Sequence, residues 1–339
     1  MTLEERIAGF AALGKRIDSL GDSEKSELSL RASNENAWFT EANISLALQG
    51  LGEFLDASKI SDWIDKYQLK NQGKSVGLVM AGNIPMVGFH DLFCVLMSGN
   101  KVMAKLSTSD SVLMNQLINW LTDINHEFGN SIITADRLND ADAVIATGSD
   151  NTARYFRYYF GKKPHIIRQN RTSVAVLTGE ETVDDIASLG SDIFSYYGLG
   201  CRNVSKIFIP KGFDLPAFLD ELSSTTYQNV TEHHKYNNNY DYNKSIYLVN
   251  GDKHLDTGYV LLKEEKEQLV SPISVLYYAY YESPQQLLLT LAGQQDKIQC
   301  TVGNVNWLEG IVPFGKTQRP QLSDYADGID TMEFLSNLS

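Results

Sequence analysis

The chain has 339 residues, of which 43% are hydrophobic and 21% are charged, an ordinary globular composition at a length that exceeds one compact core. We therefore expect two domains. The formal net charge of -13 argues against nucleic acid or an anionic membrane surface as the main partner. The three cysteines lie far apart, with neither the paired spacing of a zinc site nor an even disulfide set, which favours a reducing, cytoplasmic location. The charged first residues lack the apolar core of a secretory signal.

Residues 1–74 have the pattern of a helical region. Apolar side chains recur on one stripe between Glu4 and Leu20, which predicts an amphipathic helix. A polar connector, Asp22–Asn36, separates this helix from two more amphipathic helices, predicted at Thr40–Leu55 and Lys59–Leu69.

From Ser75 onward the pattern changes to alternating strand and helix. The apolar stretch Ser75–Ser98 is about long enough to cross a bilayer, but Pro85 would interrupt a spanning helix, so strand, loop and helix are expected instead. Such units predict an α/β fold, in which helices cover both faces of a parallel sheet and ligands bind at the carboxyl ends of its strands. In this half the strands are predicted at Val76–Met80, Lys101–Leu106, Ala143–Ala146, His165–Ile167 and Val174–Leu177, and the helices at Pro85–Met97, Ser111–Phe128 and Arg154–Phe160.

The second half of the chain repeats this style. The segment Glu232–Lys244 is rich in Asn and Tyr, and its adjacent His233 and His234 have no third metal ligand nearby, so a polar surface loop is expected there. Helices are predicted at Val183–Tyr197, Leu215–Leu222 and Pro284–Leu291, and strands at Val204–Ile209, Ser245–Val249 and Ser274–Tyr281.

One cysteine stands at an abrupt turn from helix to strand. Gly198 and Gly200 precede Cys201, and glycine adopts backbone angles that other residues avoid. A cysteine in such a turn can present its sulfur to a carbonyl carbon and its own backbone N–H to the oxygen that becomes negative. The alternative is a small, buried and inert cysteine, which is the commoner kind.

Four other short stretches stand out along the chain. Asn83 follows the first strand of the alternating region, and Lys105 ends the next strand. Thr147–Ser149 joins a strand to a helix, in a type of loop that receives phosphate on helix N–H groups. Pro313–Lys316 lies near the C-terminal end of the sequence.

In this order, the four stretches and Cys201 resemble the aldehyde dehydrogenase superfamily, and within it the acyl-CoA reductase branch that includes the fatty-acyl reductase of bacterial bioluminescence. The resemblance covers roughly Ser75–Phe334 and implies two Rossmann-like domains with parallel sheets. Pro313–Phe334 is similar to the family's closing segment, which leads into a last strand. The implied division is a helical region packed on the cofactor domain (1–74), a nucleotide-cofactor domain (75–172), a catalytic domain (173–312) and a segment that returns to close the site (313–339).

The resemblance also implies a chemistry. Cys201 would attack the carbonyl of an acyl thioester, while its backbone N–H and the Asn83 side chain hold the oxyanion. Departure of CoA leaves an acyl-cysteine, which hydride from a reduced nicotinamide converts to an aldehyde, with no metal involved. The residues implied to bind the cofactor are Lys105 at the adenosine ribose, Ser149 near the pyrophosphate, and Ser107, Thr108, Thr147, Gly148, Gln268 and Phe314.

Departures from the family pattern carry further predictions. Ile167 stands where oxidising members have the glutamate that activates water, so hydrolysis lacks a general base and reduction is favoured. Gln169 and Asn170 replace two glycines, and Gln268 replaces a ribose-binding glutamate. Thr108 stands where NAD-specific members have a glutamate that repels a 2′-phosphate, so NADPH is predicted to be preferred or at least accepted.

Two features leave alternatives open. The segment Lys66–Lys74 is too short for the hairpin arm through which many members form dimers and tetramers, so the oligomeric state stays open. Six basic residues with no acidic residue between them are interpreted either as a site for cofactor or CoA phosphates or as a solvated face: Arg154, Arg157, Lys162, Lys163, Arg168 and Arg171.

The sequence therefore predicts a cytoplasmic, NAD(P)H-dependent acyl-CoA reductase that uses NADPH more readily than NADH, spans no membrane and binds no nucleic acid. One alternative is an acyl-phosphate reductase of the same superfamily. Another is a degenerate protein that binds acyl groups or nucleotides without turnover. Tyr196, Tyr197 and Leu199 beside the cysteine favour a long apolar acyl chain, whereas the donor can be CoA, a carrier protein or an adenylate.

Overall fold

The computed structural model describes residues 1–69, 73–224 and 226–338, so part of the segment Lys66–Lys74 lies outside the described residues. The chain forms two compact units, one made of Met1–Asn170 with Gln321–Ser339 and the other of Arg171–Pro320. Among the described residues, no helix is long and apolar enough to cross a bilayer.

Helices and strands alternate through most of the chain. As far as residue 170 they are α1 (Leu3–Asp18), α2 (Asp22–Glu35), α3 (Glu41–Phe54), α4 (Ala57–Ile64), β1 (Ser75–Val79), α5 (Phe89–Met97), β2 (Lys101–Lys105), α6 (Ser111–Ile124), α7 (His126–Gly129), β3 (Ile132–Thr134), β4 (Ala143–Thr147), α8 (Asp150–Phe160) and β5 (His165–Arg168). The later elements are β6 (Thr172–Val176), α9 (Val183–Phe194), β7 (Val204–Pro210), α10 (Leu215–Ser223), α11 (His234–Asn250), β8 (Leu255–Asp256), β9 (Leu261–Glu264), β10 (Val275–Tyr281), α12 (Pro284–Ala292), β11 (Ile298–Gly303) and α13 (Thr331–Ser336).

The first unit is built on a parallel five-stranded sheet in the order β3-β2-β1-β4-β5. β1 lies at its centre, where Val76 pairs with Val102 of β2 on one side and with Ala143 of β4 on the other. The strand order reverses at β1, because the chain continues first to β2 and β3 and then crosses to β4. In open α/β sheets, ligands bind beyond the carboxyl ends of the strands at such a reversal. The loops after β1, β2 and β4 therefore form a candidate ligand site.

The N-terminal helices are part of the core of this unit. Phe10 of α1 packs edge-to-face on Phe93 of α5, with ring centroids 4.7 Å apart, and on Phe128 at 5.3 Å. Trp63 of α4 stacks on the same Phe93 at 5.2 Å. All four rings are buried, and each contributes about 2–3 kcal/mol through the apolar surface it removes from water. The helices before β1 thus stabilise the sheet that follows them.

The second unit contains a six-stranded sheet in the order β11-β6-β7-β10-β9-β8. All its neighbouring strands run parallel except the β8–β9 pair at one edge. β7, which follows the turn that carries Cys201, lies inside the sheet between β6 and β10. α9 begins at Val183 because Thr182 and Asp185 form a capping box. The predicted α/β fold with two Rossmann-like parallel sheets is confirmed.

The predictions of a loop at 232–244 and a strand at 245–249 are wrong, because α11 occupies both segments. The buried side chains of α11 recur at intervals of three and four residues, which is the helical period. Counting tyrosine as a polar loop residue concealed this stripe. The residues that form it are Tyr236, Tyr240, Asn243 and Tyr247.

The adjacent histidines of this region begin that helix. His233 is the N-cap residue, and its ring accepts a hydrogen bond from the backbone N–H of Tyr236 at 3.4 Å. Nowhere in the part of the chain that the structure describes do three or more histidine, cysteine or acidic side chains cluster closely enough to hold a metal ion.

Three other predicted elements differ from the structure. The connector predicted at 22–36 contains α2, whose narrow buried stripe includes the small residues Ser29 and Ala32 and is hard to see in the sequence. The helix predicted to begin at Pro85 begins at Phe89, since the chain first passes through Met86 in a left-handed conformation with φ 57°. Beyond Pro313 the described residues form turns and α13 rather than the expected last strand.

Candidate active site

The cysteine of interest follows an unusual reversal of the chain. Tyr196, Tyr197 and Gly198, which follow α9, have positive φ angles of 51°, 57° and 78°. Only glycine adopts this conformation without strain, so the two tyrosines cost free energy that surrounding contacts must offset. Cys201 comes three residues later, just before β7. We call residues 195–203 the cysteine turn.

The side chain of Asn203 holds the cysteine turn from inside. It is 2% exposed, and its Oδ1 accepts a hydrogen bond from the backbone N–H of Gly200 at 2.8 Å. Its Nδ2 lies within hydrogen-bonding distance of three carbonyl oxygens at the end of α9, those of Asp192 (3.1 Å), Ile193 (3.4 Å) and Ser195 (2.8 Å). These carbonyls end a helix and lack partners within it, so a single buried amide joins both arms of the turn.

Cys201 differs from the other two cysteines in exposure. It is partly exposed, whereas Cys94 and Cys300 are buried. Burial raises the pKa of the Cys94 thiol well above its usual value, which keeps it protonated and unreactive. The carbonyl oxygen of Cys201 accepts a hydrogen bond from the Ser173 hydroxyl at 3.1 Å, so the backbone of the cysteine is fixed to β6. Of the three thiols, Cys201 is the one placed to meet a substrate.

The segment 313–317 is tied to the helix that leads into the cysteine turn. The Asp192 carboxylate accepts hydrogen bonds from the backbone N–H of Gly315 (2.7 Å) and from both the N–H (3.1 Å) and the hydroxyl (2.8 Å) of Thr317. The Arg202 guanidinium donates to the carbonyl oxygen of Thr317 at 2.5 Å. The structure therefore brings the buried Phe314 and Cys201, two residues singled out in the sequence, into one connected part of the second unit.

Gln268 lies on the loop between β9 and β10, and its side chain is exposed. Its carbonyl oxygen accepts a hydrogen bond at 3.0 Å from Lys206, a fully buried lysine of β7. Burial lowers the pKa of Lys206 to about 8, against the opposing effect of Glu265. Nothing in the sequence indicates that this lysine supports the Gln268 loop, because a lysine within a strand usually points to solvent.

In the first unit, the loop that carries Asn83 packs on the loop after β2. A side chain at Gly82 would place its Cβ 2.4 Å from the Ser107 hydroxyl, so the close approach of the two loops depends on this glycine. Asn83 itself is exposed, as is Thr108. The loop also hydrogen-bonds to Asn36, whose Nδ2 lies 3.3 Å from the carbonyl oxygen of Gly82.

A buried carboxyl group supports the same loop. Asp110 is 1% exposed, and its Oδ2 accepts a hydrogen bond from the backbone N–H of the strained Met86 at 2.9 Å. Its Oδ1 has no hydrogen-bond partner among the described residues. Burial raises the pKa of Asp110 to about 8. The hydrogen bond from Met86 opposes this shift, whereas the negative charge of Glu35 adds to it.

An open cleft of about 600 Å³ lies beyond the ends of β1 and β2. This volume is within the range of sites that hold a nucleotide-sized ligand. Among the residues predicted to bind the cofactor, Lys105 lines the cleft, together with two further cations, Arg137 and Lys163. The remaining lining is mostly apolar or aromatic: Val79, Leu138, Tyr155, Phe156, Tyr159 and Phe160, with Asp136 and Asn139.

The predicted phosphate turn lies at the start of α8. The Ser149 hydroxyl is the N-cap, accepting from the backbone N–H of Thr152 at 3.3 Å. At Gly148, a Cβ would lie 3.1 Å from both Phe156 and Thr152, so the turn packs tightly on its own helix. Thr147 is the last residue of β4. Both ends of this turn are therefore fixed by local structure.

A family model described as acyl-CoA reductase (LuxC) matches residues 41–272 of the chain. The chain belongs to this family. It is also similar to a long-chain acyl-protein thioester reductase from Aliivibrio fischeri, with 23% identity over 234 residues. That match covers 63% of this chain and 48% of the relative, so the chain spans about half the length of the curated relative.

Solved aldehyde dehydrogenases share the fold. Aldehyde dehydrogenase 21 from Physcomitrella patens superposes with a TM-score of 0.66 at 11% identity, covering 99% of this chain and 84% of that protein. The NAD+ complex of an aldehyde dehydrogenase from Bacillus cereus superposes with a TM-score of 0.61 at 14% identity, covering 89% and 72%. At such identities the likeness establishes the fold and nothing finer.

In this LuxC-family chain, the interpretation of the six basic residues as one phosphate site or one solvated face is wrong for Arg168, which follows Ile167 on β5. Ile167 is half-buried on β5 and pairs with Ala146 of β4. The next residue, Arg168, is buried and forms an ion pair with Asp91 of α5 and a hydrogen bond to the Thr331 hydroxyl. Arg168 is therefore part of the interior of the first unit, and it belongs to neither a solvated face nor a phosphate site.

The other members of the basic cluster have different environments. Arg154, Arg157 and Lys162 are exposed. Lys163 lines the cleft, and its ammonium group donates to the carbonyl oxygens of Asn139 and Ala141. Arg171 belongs to the second unit, where it donates to the carbonyl oxygen of Ile298 at 3.2 Å. A sequence-local cluster of charges has thus become several unrelated sites.

Proposed function

We propose that this LuxC-family chain is an NAD(P)H-dependent reductase that converts an acyl thioester to an aldehyde through an acyl group on Cys201. The thiolate attacks the thioester carbonyl, and collapse of the adduct breaks the bond to the sulfur of the donor. Hydride addition to the acyl carbon and cleavage of the cysteine C–S bond then release the aldehyde. Overall, one thioester, one reduced nicotinamide and one proton give one aldehyde, one free thiol and one oxidised nicotinamide.

The observation that carries this proposal is the cysteine turn. Cys201 is the partly exposed thiol of the three, and its backbone is fixed by Asn203 and Ser173. A fixed backbone N–H at the nucleophile is what stabilisation of an oxyanion requires, because the donor needs no reorganisation as charge develops. We assign the second oxyanion donor to Asn83, on the basis of the family resemblance.

The cleft of the first unit fits the adenosine half of a dinucleotide. Its apolar and aromatic lining suits a base, and Lys105, Arg137 and Lys163 suit phosphate or ribose oxygens. A bound reduced nicotinamide supplies the hydride. Thr108 and Ser107, beside Lys105, carry no charge that would repel a 2′-phosphate, and we therefore propose NADPH as the preferred form.

The direction of the reaction follows from Ile167. An isoleucine cannot take a proton from water, and a general base typically contributes about 10²–10⁴-fold to such a step. We propose that the acyl-cysteine therefore persists until reduced cofactor binds. Gln169 and Asn170, in place of the usual glycines, belong to the same altered segment.

We propose an acyl-CoA as the acyl donor. The name of the Aliivibrio fischeri relative indicates that it acts on an acyl group carried by a protein. An acyl-protein is therefore the first alternative donor for this chain. The tyrosines of the cysteine turn give little guidance on chain length, since Tyr196 is buried and the Tyr197 ring packs against His233, with centroids 4.5 Å apart.

A single set of assays tests the proposal. The protein is incubated with acyl-CoAs of graded length, first without cofactor and then with NADPH or NADH, while thiol release and cofactor oxidation are followed. We expect one equivalent of thiol and one acyl group on Cys201 without cofactor, and continuous turnover with NADPH. Cys201→Ala should abolish both.

Three results would contradict it. Mass spectrometry that places the acyl group on Cys94 or Cys300 would remove Cys201 as the nucleophile. Turnover with an acyl phosphate but not with any acyl-CoA would favour the acyl-phosphate alternative. Rapid hydrolysis of acyl-CoA without cofactor would show that a residue elsewhere in the chain activates water, even though position 167 is an isoleucine.

A further inference from the structure

The side chain of Asp192 occupies a position that is costly for a carboxylate. It is 1% exposed, and it lies in the last turn of α9, where the partial negative charge at the end of the helix opposes a second negative charge. Among the described residues of the second unit, it is the one buried carboxyl group. Burial raises its pKa, although its three hydrogen bonds and Arg202 oppose the shift.

Hydrogen bonds from residues 315–317 compensate for this cost. Two backbone N–H groups and one hydroxyl of residues 315–317 point at the carboxylate, at 2.7, 3.1 and 2.8 Å. The segment also lies close against α9, since a Cβ at Gly315 would be 3.1 Å from Cβ of Ser188. Gly315 has a φ of 76°, which allows the chain to turn its N–H inward. Hydrogen bonds to a charged group are about twice as strong as neutral ones, so this contact defines where residues 313–317 lie.

The same residue reaches the cysteine turn through its backbone. The carbonyl oxygen of Asp192 accepts a hydrogen bond from Nδ2 of Asn203 at 3.1 Å, and Asn203 in turn holds the N–H of Gly200. Asp192 thus has its main chain bonded to the cysteine turn and its side chain bonded to the segment that contains Phe314. The two contacts are separate, because the bond to Asn203 uses the main-chain oxygen of Asp192, whereas the bonds to Gly315 and Thr317 use its carboxylate.

We propose that Asp192 is a positioning residue that fixes the Phe314 segment for hydride transfer, while leaving the acylation of Cys201 to the cysteine turn. The inference rests on the proposed function and on the resemblance that assigns Phe314 to cofactor binding, because both steps use the same thiol but only the hydride step needs the cofactor. The hydride step adds hydride to the acyl carbon, breaks the C–S bond of the acyl-cysteine and returns a proton to the cysteine sulfur. Asp192 touches neither substrate nor cofactor in this scheme.

Asp192→Asn is the sharpest variant, because it keeps the size and the Oδ1 acceptor but places an amide NH2 against the N–H of Gly315. Asp184→Asn, an exposed change on the same helix, is the matched control. Thr317→Ser retains the hydroxyl donor and serves as the conservative variant. All are compared with wild type in the full chain.

Two measurements decide the matter. Without any cofactor or substrate, hydrogen–deuterium exchange should be about tenfold faster in the peptide 313–317 of Asp192→Asn, with the peptide 198–204 unchanged. In single-turnover assays, acylation of Cys201 should stay within about twofold of wild type, while NADPH oxidation by the acylated protein should slow about tenfold. Asp184→Asn and Thr317→Ser should match wild type in both.

Unchanged exchange at 313–317 in Asp192→Asn would overturn the inference, as would equal loss of acylation and hydride transfer, which indicates a general structural role. A failure of the proposed function looks different, because wild-type protein would then gain no acyl group on Cys201 at all. In that case the hydrogen–deuterium exchange result still decides whether Asp192 fixes residues 313–317.

Discussion

The two units of this protein hold their candidate site residues in different ways. In the second unit, Cys201 lies on a turn whose backbone groups are bonded to buried side chains, chiefly Asn203 and Ser173. In the first unit, Asn83 and Thr108 are exposed on the loops after β1 and β2, and the exposed Lys105 at the end of β2 lines an open cleft. The second unit fixes the backbone around one cysteine, whereas the first unit presents exposed side chains and an open cleft.

One buried aspartate from each unit shows the same contrast. Asp192 has three donors on its two oxygens, whereas Asp110 has one donor and an Oδ1 without a partner in the described structure. A fully bonded carboxylate adds rigidity, and an incompletely bonded one reduces the stability of the charged state. The first unit therefore tolerates a group whose charge is unfavourable, close to the loop that presents Asn83.

The largest expected effect is on the acylation rate and concerns Asn83, an exposed residue of the first unit. Asn83→Ala should lower the rate of acylation about 10²–10³-fold and leave acyl-CoA binding nearly intact, because we assign one donor of the proposed oxyanion site to its side chain. Rapid-mixing measurements of thiol release give the rate, and equilibrium titration gives the affinity. Asn130→Ala, also exposed in the first unit, is the control. Acylation at the wild-type rate would exclude Asn83 from the oxyanion site.

A smaller effect, on stability instead of rate, is expected in the cysteine turn. Asn203→Ala leaves several buried backbone groups without partners, and we expect it to lower the free energy of unfolding by about 3 kcal/mol. Chemical denaturation monitored by circular dichroism measures this loss. Asn250→Ala, at the exposed end of α11, should change stability by less than about 0.5 kcal/mol. Equal effects of the two variants would mean that Asn203 does not hold the turn.

The last expected effect depends on pH and concerns Asp110. Its folded pKa of about 8 lies above the value of about 3.9 in an unfolded chain, so the folded state keeps a proton that the unfolded state releases. Stability therefore falls as pH rises from about 4 to about 8, by at most about 1.4 kcal/mol per pH unit. Asp110→Asn removes this titration while retaining an acceptor for Met86.

The variant should therefore gain stability relative to wild type as pH rises, and the gain should level off above about pH 8. Urea unfolding at several pH values between about 5 and 9 measures the difference. Asp123→Asn, an exposed change on α6, should show no such trend. A constant difference between wild type and Asp110→Asn across this range would argue that Asp110 is ionised throughout.

Much of the first unit could be predicted from the sequence. Its strands are short apolar runs separated by amphipathic helices, and parallel strands buried on both faces require such runs. The same pattern placed Lys105 at the end of β2, whereas Thr147, predicted in the loop after the strand, is the last residue of β4. The α11 region could not be read in this way, because its buried stripe consists of tyrosine and asparagine. Their polar atoms hide a helical period that only burial reveals.

The sequence by itself therefore determined the fold class, the family and the position of the cysteine directly after two closely spaced glycines, because these depend on local periodicity and on residues close together in the chain. The tertiary structure alone decided which polar side chains are buried and what they bind. Arg168, which lies in a run of basic residues, forms a buried ion pair with Asp91. Asp192 accepts hydrogen bonds from residues 315–317, which lie more than a hundred positions away in the chain. The free energy of a buried charge depends on the donors around it, and distant parts of the chain supply those donors.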